Sequence, residues 1–313
     1  MKFTQLKQHL LNEKLFPCYL VYGEDAGVRY FARRLFEKRI TSFAELNVNY
    51  FEGKDDATSI VDVCQGFPFM SDYRLVYVRD FVSNAKQIEE YLKTPCPTTI
   101  LVFESESVGN NLKKIMQTAT VVDCSRLDEK FLSSYVASQV KKAGCQITVS
   151  ATNLLIEYCN RYICKIDGEI AKLTSETDVI DEQFVREKVS PELEFAIYAL
   201  SEVITLKDKE KTLSYLDKLM LDGNSPVAIL GMLYNHFRKL FYVGINKTSD
   251  TLSADLNVKE YSLKFAFAQS EKYSPVTLKK ICDVIGESDY AFKSGKMTDK
   301  NALYSCVLRI LNI

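Results

Sequence analysis

The sequence predicts an α/β domain with a largely parallel sheet, followed by a small helical domain and then an all-helical domain. Two observations point to the first part. Short continuous apolar runs such as Cys18-Tyr-Leu-Val-Tyr22 and Thr99-Ile-Leu-Val-Phe103 read as strands buried on both faces. Stretches of helical spacing separate them, as βα units require. The third observation is a loss: after Cys124 the strand signal stops. The boundaries that follow are 1–125, 126–188 and 189–313.

The elements of the first part come in order. Cys18–Tyr22 follows Pro17 and precedes Gly23. Residues 28–40 place Val28, Phe31, Leu35, Phe36 and Ile40 on one helical face, with arginines opposite. Asn47–Phe51 is a strand candidate, and Thr58 is a candidate N-cap before Ile60, Val61 and Val63. Leu75–Val78, Thr99–Phe103 and Thr120–Asp123 are further strands, with helical stretches at 84–92 and 109–118 between them.

Leu127–Ala143 reads as a helix with Gly144 as its C-terminal cap, followed by helices at 150–162 and 167–175. Ser190-Pro191, Ser225-Pro226 and Ser274-Pro275 each pair a capping serine with a proline fit for a first helical turn. Helices are expected around 192–204, 207–221, 226–244, 258–270, 275–293 and 298–312, with a polar loop or short helix at Thr248–Leu256.

Composition bounds the chemistry. The 313 residues are 47% hydrophobic and 26% charged, which suits a soluble chain of two or three domains rather than disorder. No apolar run approaches the ~20 residues of a spanning helix, and no signal-peptide pattern opens the chain, so a cytoplasmic protein is expected. The nine cysteines form no Cys-x-x-Cys pair and only two histidines, His9 and His236, are available, which argues against a structural metal site. Cys159, Cys164, Cys282 and Cys306 read as small reduced core residues. A net charge of −1 is unlike that of a strongly basic nucleic-acid binder. Residues 206–313 hold 16 Lys and Arg against 12 Asp and Glu, a slight excess that fits DNA contact or an ordinary solvated surface.

The position for a phosphate-binding loop is Gly23-Glu-Asp-Ala-Gly-Val-Arg-Tyr30. It keeps two glycines but lacks the lysine that reaches a γ-phosphate and the hydroxyl that coordinates magnesium. Glu24 and Asp25 would also repel phosphates. A plain strand-to-helix turn is favoured, and no cofactor is expected. Glu104-Ser-Glu106 after a strand reads as a solvated loop in preference to a magnesium site, and Ser125-Arg-Leu127 is too short to mark an arginine finger. His236, beside Arg238 and Lys239, reads as a surface or interface contact in preference to a general base. No catalytic constellation emerges.

What remains is Cys64-Gln-Gly-Phe-Pro-Phe-Met-Ser-Asp-Tyr-Arg-Leu-Val-Tyr-Val-Arg-Asp80. Pro68 interrupts a helix arriving from 57–65, so Phe67, Phe69 and Met70 fall at a helix end or turn. Such a cluster is either a plug for the domain's own core or a peg for a partner's pocket, and the residues alone leave both open.

Six stretches, in order along the whole chain, carry a resemblance. They are Tyr19-Leu-Val-Tyr-Gly-Glu-Asp25, Phe67-Pro-Phe-Met-Ser-Asp-Tyr-Arg-Leu-Val-Tyr-Val78, Thr99–Phe103, Asp167-Gly-Glu-Ile-Ala-Lys-Leu173, Gly223-Asn-Ser-Pro-Val-Ala-Ile-Leu230 leading into Phe237-Arg-Lys-Leu240, and Asp289-Tyr-Ala-Phe-Lys-Ser-Gly295. With them the chain resembles the AAA+-like delta subunits of bacterial DNA polymerase III clamp loaders. The resemblance implies an AAA+/P-loop-like first domain without a working phosphate loop, a small lid domain and a C-terminal collar domain that assembles with ATP-binding gamma/tau-type and delta-prime-type subunits. It implies a non-catalytic subunit that binds and opens the sliding clamp for loading on primed DNA. Pro68 and Phe69 match the family's two-residue hydrophobic plug, flanked by Gln65, Phe67 and Met70; the family often has leucine where Pro68 stands. The resemblance favours the peg reading for Phe69 and leaves Phe67 even. The alternatives are an ATP-dependent AAA+ remodelling enzyme with an atypical nucleotide site, and a generic DNA-binding module.

Overall fold

The computed structural model describes residues 1–12, 15–245 and 260–313. The expectation for Thr248–Leu256 lies outside the described residues. The chain divides into two compact units, Met1–Lys188 and Val189–Ile313.

The first unit opens with helix α1 (Phe3–Asn12) and continues β1 (Cys18–Tyr22), α2 (Ala26–Glu37), α3 (Ala44–Asn47), β2 (Val48–Glu52), α4 (Ala57–Gln65), β3 (Arg74–Arg79), α5 (Lys86–Tyr91), β4 (Thr99–Ser105), α6 (Asn110–Met116) and β5 (Thr120–Asp123). The strands pair in the order β2-β3-β4-β1-β5, and every pairing is parallel. The continuous apolar runs follow from this order: β1, β3 and β4 are interior strands with side chains buried on both faces. Leu20, Val76, Val78, Leu101 and Phe103 meet Ile60, Ile88, Leu112 and Ile115 of α4, α5 and α6 in one core layer. Tyr19 points to the other face and packs edge-on against Phe36 of α2, with ring centroids 4.9 Å apart.

The switch in strand order sits at β1. The chain leaves β1 to cross past β4 and β3, and later returns from β4 to the far side of β1 at β5. Open α/β sheets bind ligands at the carboxyl ends of strands at such a point, so the loop after β1 is where a nucleotide would be sought.

The unit continues as α7 (Glu129–Lys142), β6 (Gln146–Ile147), α8 (Val149–Tyr158), α9 (Ile163–Glu176), β7 (Val179–Ile180) and α10 (Glu182–Lys188). The parallel β6–β7 pair was not expected: two-residue strands carry no alternation to read. Gly144 does follow α7, with φ +83, as the left-handed cap requires.

The second unit is helical throughout its described residues: α11 (Leu193–Thr205), α12 (Lys209–Leu221), α13 (Pro226–Ile245), α14 (Glu260–Ser270), α15 (Pro275–Lys293) and α16 (Asp299–Leu311). Leu233, Phe237 and Leu240 of α13 sit within one core with Leu200, Ile281, Leu303 and Val307. Ser225 and Ser274 accept hydrogen bonds from the amides of Ala228 and Thr277, capping α13 and α15. Ser190 differs: α11 starts later, with Glu192 at its N-cap and no side-chain cap bond. Asp56 rather than Thr58 holds the N-cap position of α4.

One cysteine expectation is corrected. Cys159 and Cys306 are buried and the half-buried Cys282 packs against the core of the second unit, but Cys164 is exposed, because helical spacing places it at the margin of its apolar stripe. Among the described residues no group of three His, Cys, Asp or Glu could hold a metal ion, and no helix is long and apolar enough to cross a membrane.

Candidate functional site

The segment after α4 forms an apolar tip. Gly66 ends α4 in extended conformation, and Pro68 cannot supply an amide to continue it. The chain then turns at Met70, whose φ of +46 is left-handed, before β3 begins at Arg74. Phe67 is 80% exposed, Met70 73% and Phe69 47%; Pro68 is half-buried and Gln65 exposed. Phe67 therefore points out, which answers the question the sequence left even. Phe67 and Met70 stand further into solvent than the Pro68–Phe69 pair.

The tip is held from behind. Asn47, at the end of α3, is fully buried. Its Oδ1 accepts from the Phe69 amide at 2.7 Å and its Nδ2 donates to the Phe69 carbonyl at 2.8 Å, as a neighbouring β-strand would. The same Nδ2 lies 3.1 Å from the carbonyls of Ser42 and Phe43. The Phe43 ring meets the Phe69 ring edge to face, with centroids 5.3 Å apart. On the other side, Arg74 donates to the carbonyls of Phe67 at 3.1 Å and Val63 at 3.3 Å. Arg74 lies within the tip stretch read from the sequence, but Asn47 and Phe43 escaped it. Asn47 lies 22 positions from its partner Phe69 and reads locally as the first residue of a strand.

The loop after β1 is filled by the chain itself. Asp25 is buried and caps α2, its Oδ1 accepting from the amides of Gly27 at 2.9 Å and Val28 at 3.3 Å. These are the helix-end donors that a phosphate would use. Its second oxygen accepts from the Ile163 amide at 3.3 Å. A Cβ on Gly27 would lie 2.6 Å from Cys164 Sγ, so α9 closes over the loop.

Arg29 and Glu104 complete the closure. Arg29 donates to the Gly23 carbonyl and pairs with Glu104 at 3.3 Å. Glu104 also accepts from the Tyr77 hydroxyl at 2.6 Å, and burial with this carboxylate pushes the phenol well above its ordinary range. Glu104 is thus buried and paired, contrary to the solvated loop expected, because β4 runs on to Ser105; Glu106 alone is exposed. Arg126 is engaged as well. It pairs with Glu24 at 3.2 Å, donates to the Tyr162 hydroxyl at 2.5 Å and lies over the Tyr162 ring.

His236 is another correction. It is partly buried between Tyr198 and Phe237, with both rings edge-on to the imidazole, rather than at the surface. Burial, with Lys239 nearby, pulls it down to about 4.

Comparison with known proteins identifies the family. One family model, described as DNA polymerase III, delta subunit, matches residues 19–125, and a second, its C-terminal domain, matches residues 194–310. Together they cover more than two-thirds of the chain. The chain belongs to the DNA polymerase III delta-subunit family. A delta subunit of Bacillus subtilis is 22% identical over 96% of this chain and 95% of its own length. A probable delta subunit of Aquifex aeolicus is 24% identical over 49% of this chain and 44% of its own. The solved Bacillus subtilis clamp loader delta protein shares the fold with a TM-score of 0.70, at 21% identity, covering 99% of this chain and 100% of that one. The apolar tip and the filled β1 loop both lie within the matched delta-subunit region.

Proposed function

We propose that this delta-family chain binds and opens the sliding clamp during DNA replication without hydrolysing ATP itself. Residues 1–125 present the tip, 126–188 form a lid, and 189–313 join a collar with gamma/tau-type and delta-prime-type subunits around primed DNA. The observation that carries this reading is the Phe67–Met70 tip. It sets three large apolar side chains into solvent on a backbone pinned by Asn47 and Arg74. Exposed aromatic anchors on a fixed backbone suit a preformed pocket, where burying each contributes about 1.5–3 kcal/mol. Opening follows if the chain binds the clamp's opened interface more tightly than its closed one.

The β1 loop supports the second half of the proposal. The α2 amides are occupied by Asp25, and no lysine or hydroxyl stands where a phosphate loop needs them. A remodelling ATPase would need that position open.

The test is a binding titration against the sliding clamp of the same organism. The wild-type chain is expected to bind, and the combined Phe67→Ala, Phe69→Ala and Met70→Ala variant to lose binding while melting near the wild-type temperature. Clamp affinity unchanged in that variant overturns the proposal.

A further inference from the structure

We propose that Asn47 is the positioning residue of the clamp-binding surface, and that its single carboxamide joins Phe43 to the Phe67–Met70 tip as a second apolar anchor. The inference rests on the reading that the tip binds the clamp.

The tip has little of its own to hold it. Phe67 and Met70 lie mostly in water, and Pro68 supplies no amide. Met70 adopts a left-handed φ of +46, a conformation that an L-residue with a side chain occupies only at an energetic cost. A turn with these properties stays in one conformation only if its surroundings over-determine it.

Arg74 holds the Phe67 carbonyl, and Asn47 supplies that determination at Phe69. An asparagine side chain offers one acceptor and two donor hydrogens. Here the acceptor takes the Phe69 amide, and the amide nitrogen is shared among the carbonyls of Phe69, Ser42 and Phe43. No other uncharged side chain of that length offers both functions, and aspartate would set a carboxylate against three carbonyl oxygens. The group is fully buried, so water does not compete for these bonds.

The second segment is strained in the same way. Phe43 has φ +49 and precedes α3, yet leaves 45% of its surface exposed and rests its ring on Phe69. Two segments, one turning at Phe43 and the other at Met70, are tied through one side chain, and the rings of Phe43 and Phe69 touch. The surface offered to a partner is therefore composite, with Phe43 and Phe69 as one unit and Phe67 and Met70 beside it. Because the free chain already holds this arrangement, binding avoids the ordering cost of a loose loop.

The experiment uses the full-length chain, the sliding clamp of the same organism, and hydrogen exchange at the Phe69 amide without clamp. Asn47→Ala is expected to speed Phe69 exchange at least tenfold while amides of β3 and β4 keep wild-type rates. If the tip then spends about a tenth of its time in the competent conformation, the clamp Kd rises about tenfold. Phe43→Ala is expected to weaken clamp binding with β3 and β4 exchange unchanged. Should Asn47→Ala loosen the sheet as well, Asn47→Ser decides: its short hydroxyl cannot span both Phe69 groups, and the same two effects are expected.

Clamp binding that survives the combined loss of Phe67, Phe69 and Met70 overturns the parent reading. Binding lost in that variant but retained at wild-type strength in Asn47→Ala, or Phe69 exchange unmoved by it, overturns the positioning role alone.

Discussion

Asp25 and Ile163, 138 positions apart, meet through a hydrogen bond: the amide at the start of α9 donates to a carboxylate oxygen whose partner oxygen caps α2. One buried carboxylate thereby closes the loop after β1 and ties α9 onto it.

Asp25→Ala should be costly. It removes a helix cap, worth about 0.5–2 kcal/mol, and leaves the buried Ile163 amide unpaired, at about 1–3 kcal/mol more. A thermal melt is expected to show a loss on the order of 2–4 kcal/mol, and wild-type melting would refute the closure. With Asp25 in place, titration with ATP and magnesium should show no micromolar binding; such binding would revive the remodelling-ATPase alternative.

Gly23→Ala should be worse tolerated than any exposed glycine replacement. Gly23 has φ +148, and a Cβ there would sit 2.2 Å from the Cys124 carbonyl carbon. Neither backbone can yield without parting β1 from the Cys124 amide, which bonds the Tyr22 carbonyl at 2.7 Å. A loss of about 3 kcal/mol or more is expected in chemical denaturation, against little change for Gly109→Ala, where a Cβ meets open space.

The tip and the core should separate cleanly in stability. Phe67→Ala and Met70→Ala remove exposed side chains and should each shift unfolding by no more than about 0.5 kcal/mol. Phe103→Ala, fully buried in the sheet, should cost about 3–5 kcal/mol. Equal losses at positions 67 and 103 in denaturant melts would show the tip to be core.

His236 gives the second unit an acid sensitivity of known sign. Its pKa is near 4 folded against about 6.5 unfolded, so the unfolded chain binds the proton first as pH falls. Stability is intact above about pH 6.5 and declines toward pH 4, by up to about 3 kcal/mol less what residual exposure screens. His236→Gln should flatten melting temperature across that window relative to wild type. Parallel profiles for the two proteins would remove His236 as the cause.

Much of the sheet was legible because interior parallel strands must be apolar on both faces. Cys18–Tyr22 and Thr120–Asp123 match their read bounds, and β4 only extends from Phe103 to Ser105. Bounds failed where the signal is short or shared. β6 and β7 have two residues each, and α3 is a single turn ahead of a strand. The serine–proline device marked α13 and α15 but not α11, where neither Pro191 nor Glu192 is helical and the helix begins at Leu193.

The sequence by itself determined the layer architecture, the helical second half and the absence of phosphate-loop residues, since periodicity and residue type are local properties. It also located the tip, through Pro68 and its apolar neighbours. Only the tertiary structure decided that Phe67 faces water, that Glu104 is buried against Arg29 and Tyr77, and that Asp25 occupies the α2 amides. It alone brought Asn47 to Phe69 and Phe43 to the tip. Each of these outcomes depends on groups brought together from distant positions, and the direction of a side chain at a turn is set by those partners rather than by its neighbours in sequence.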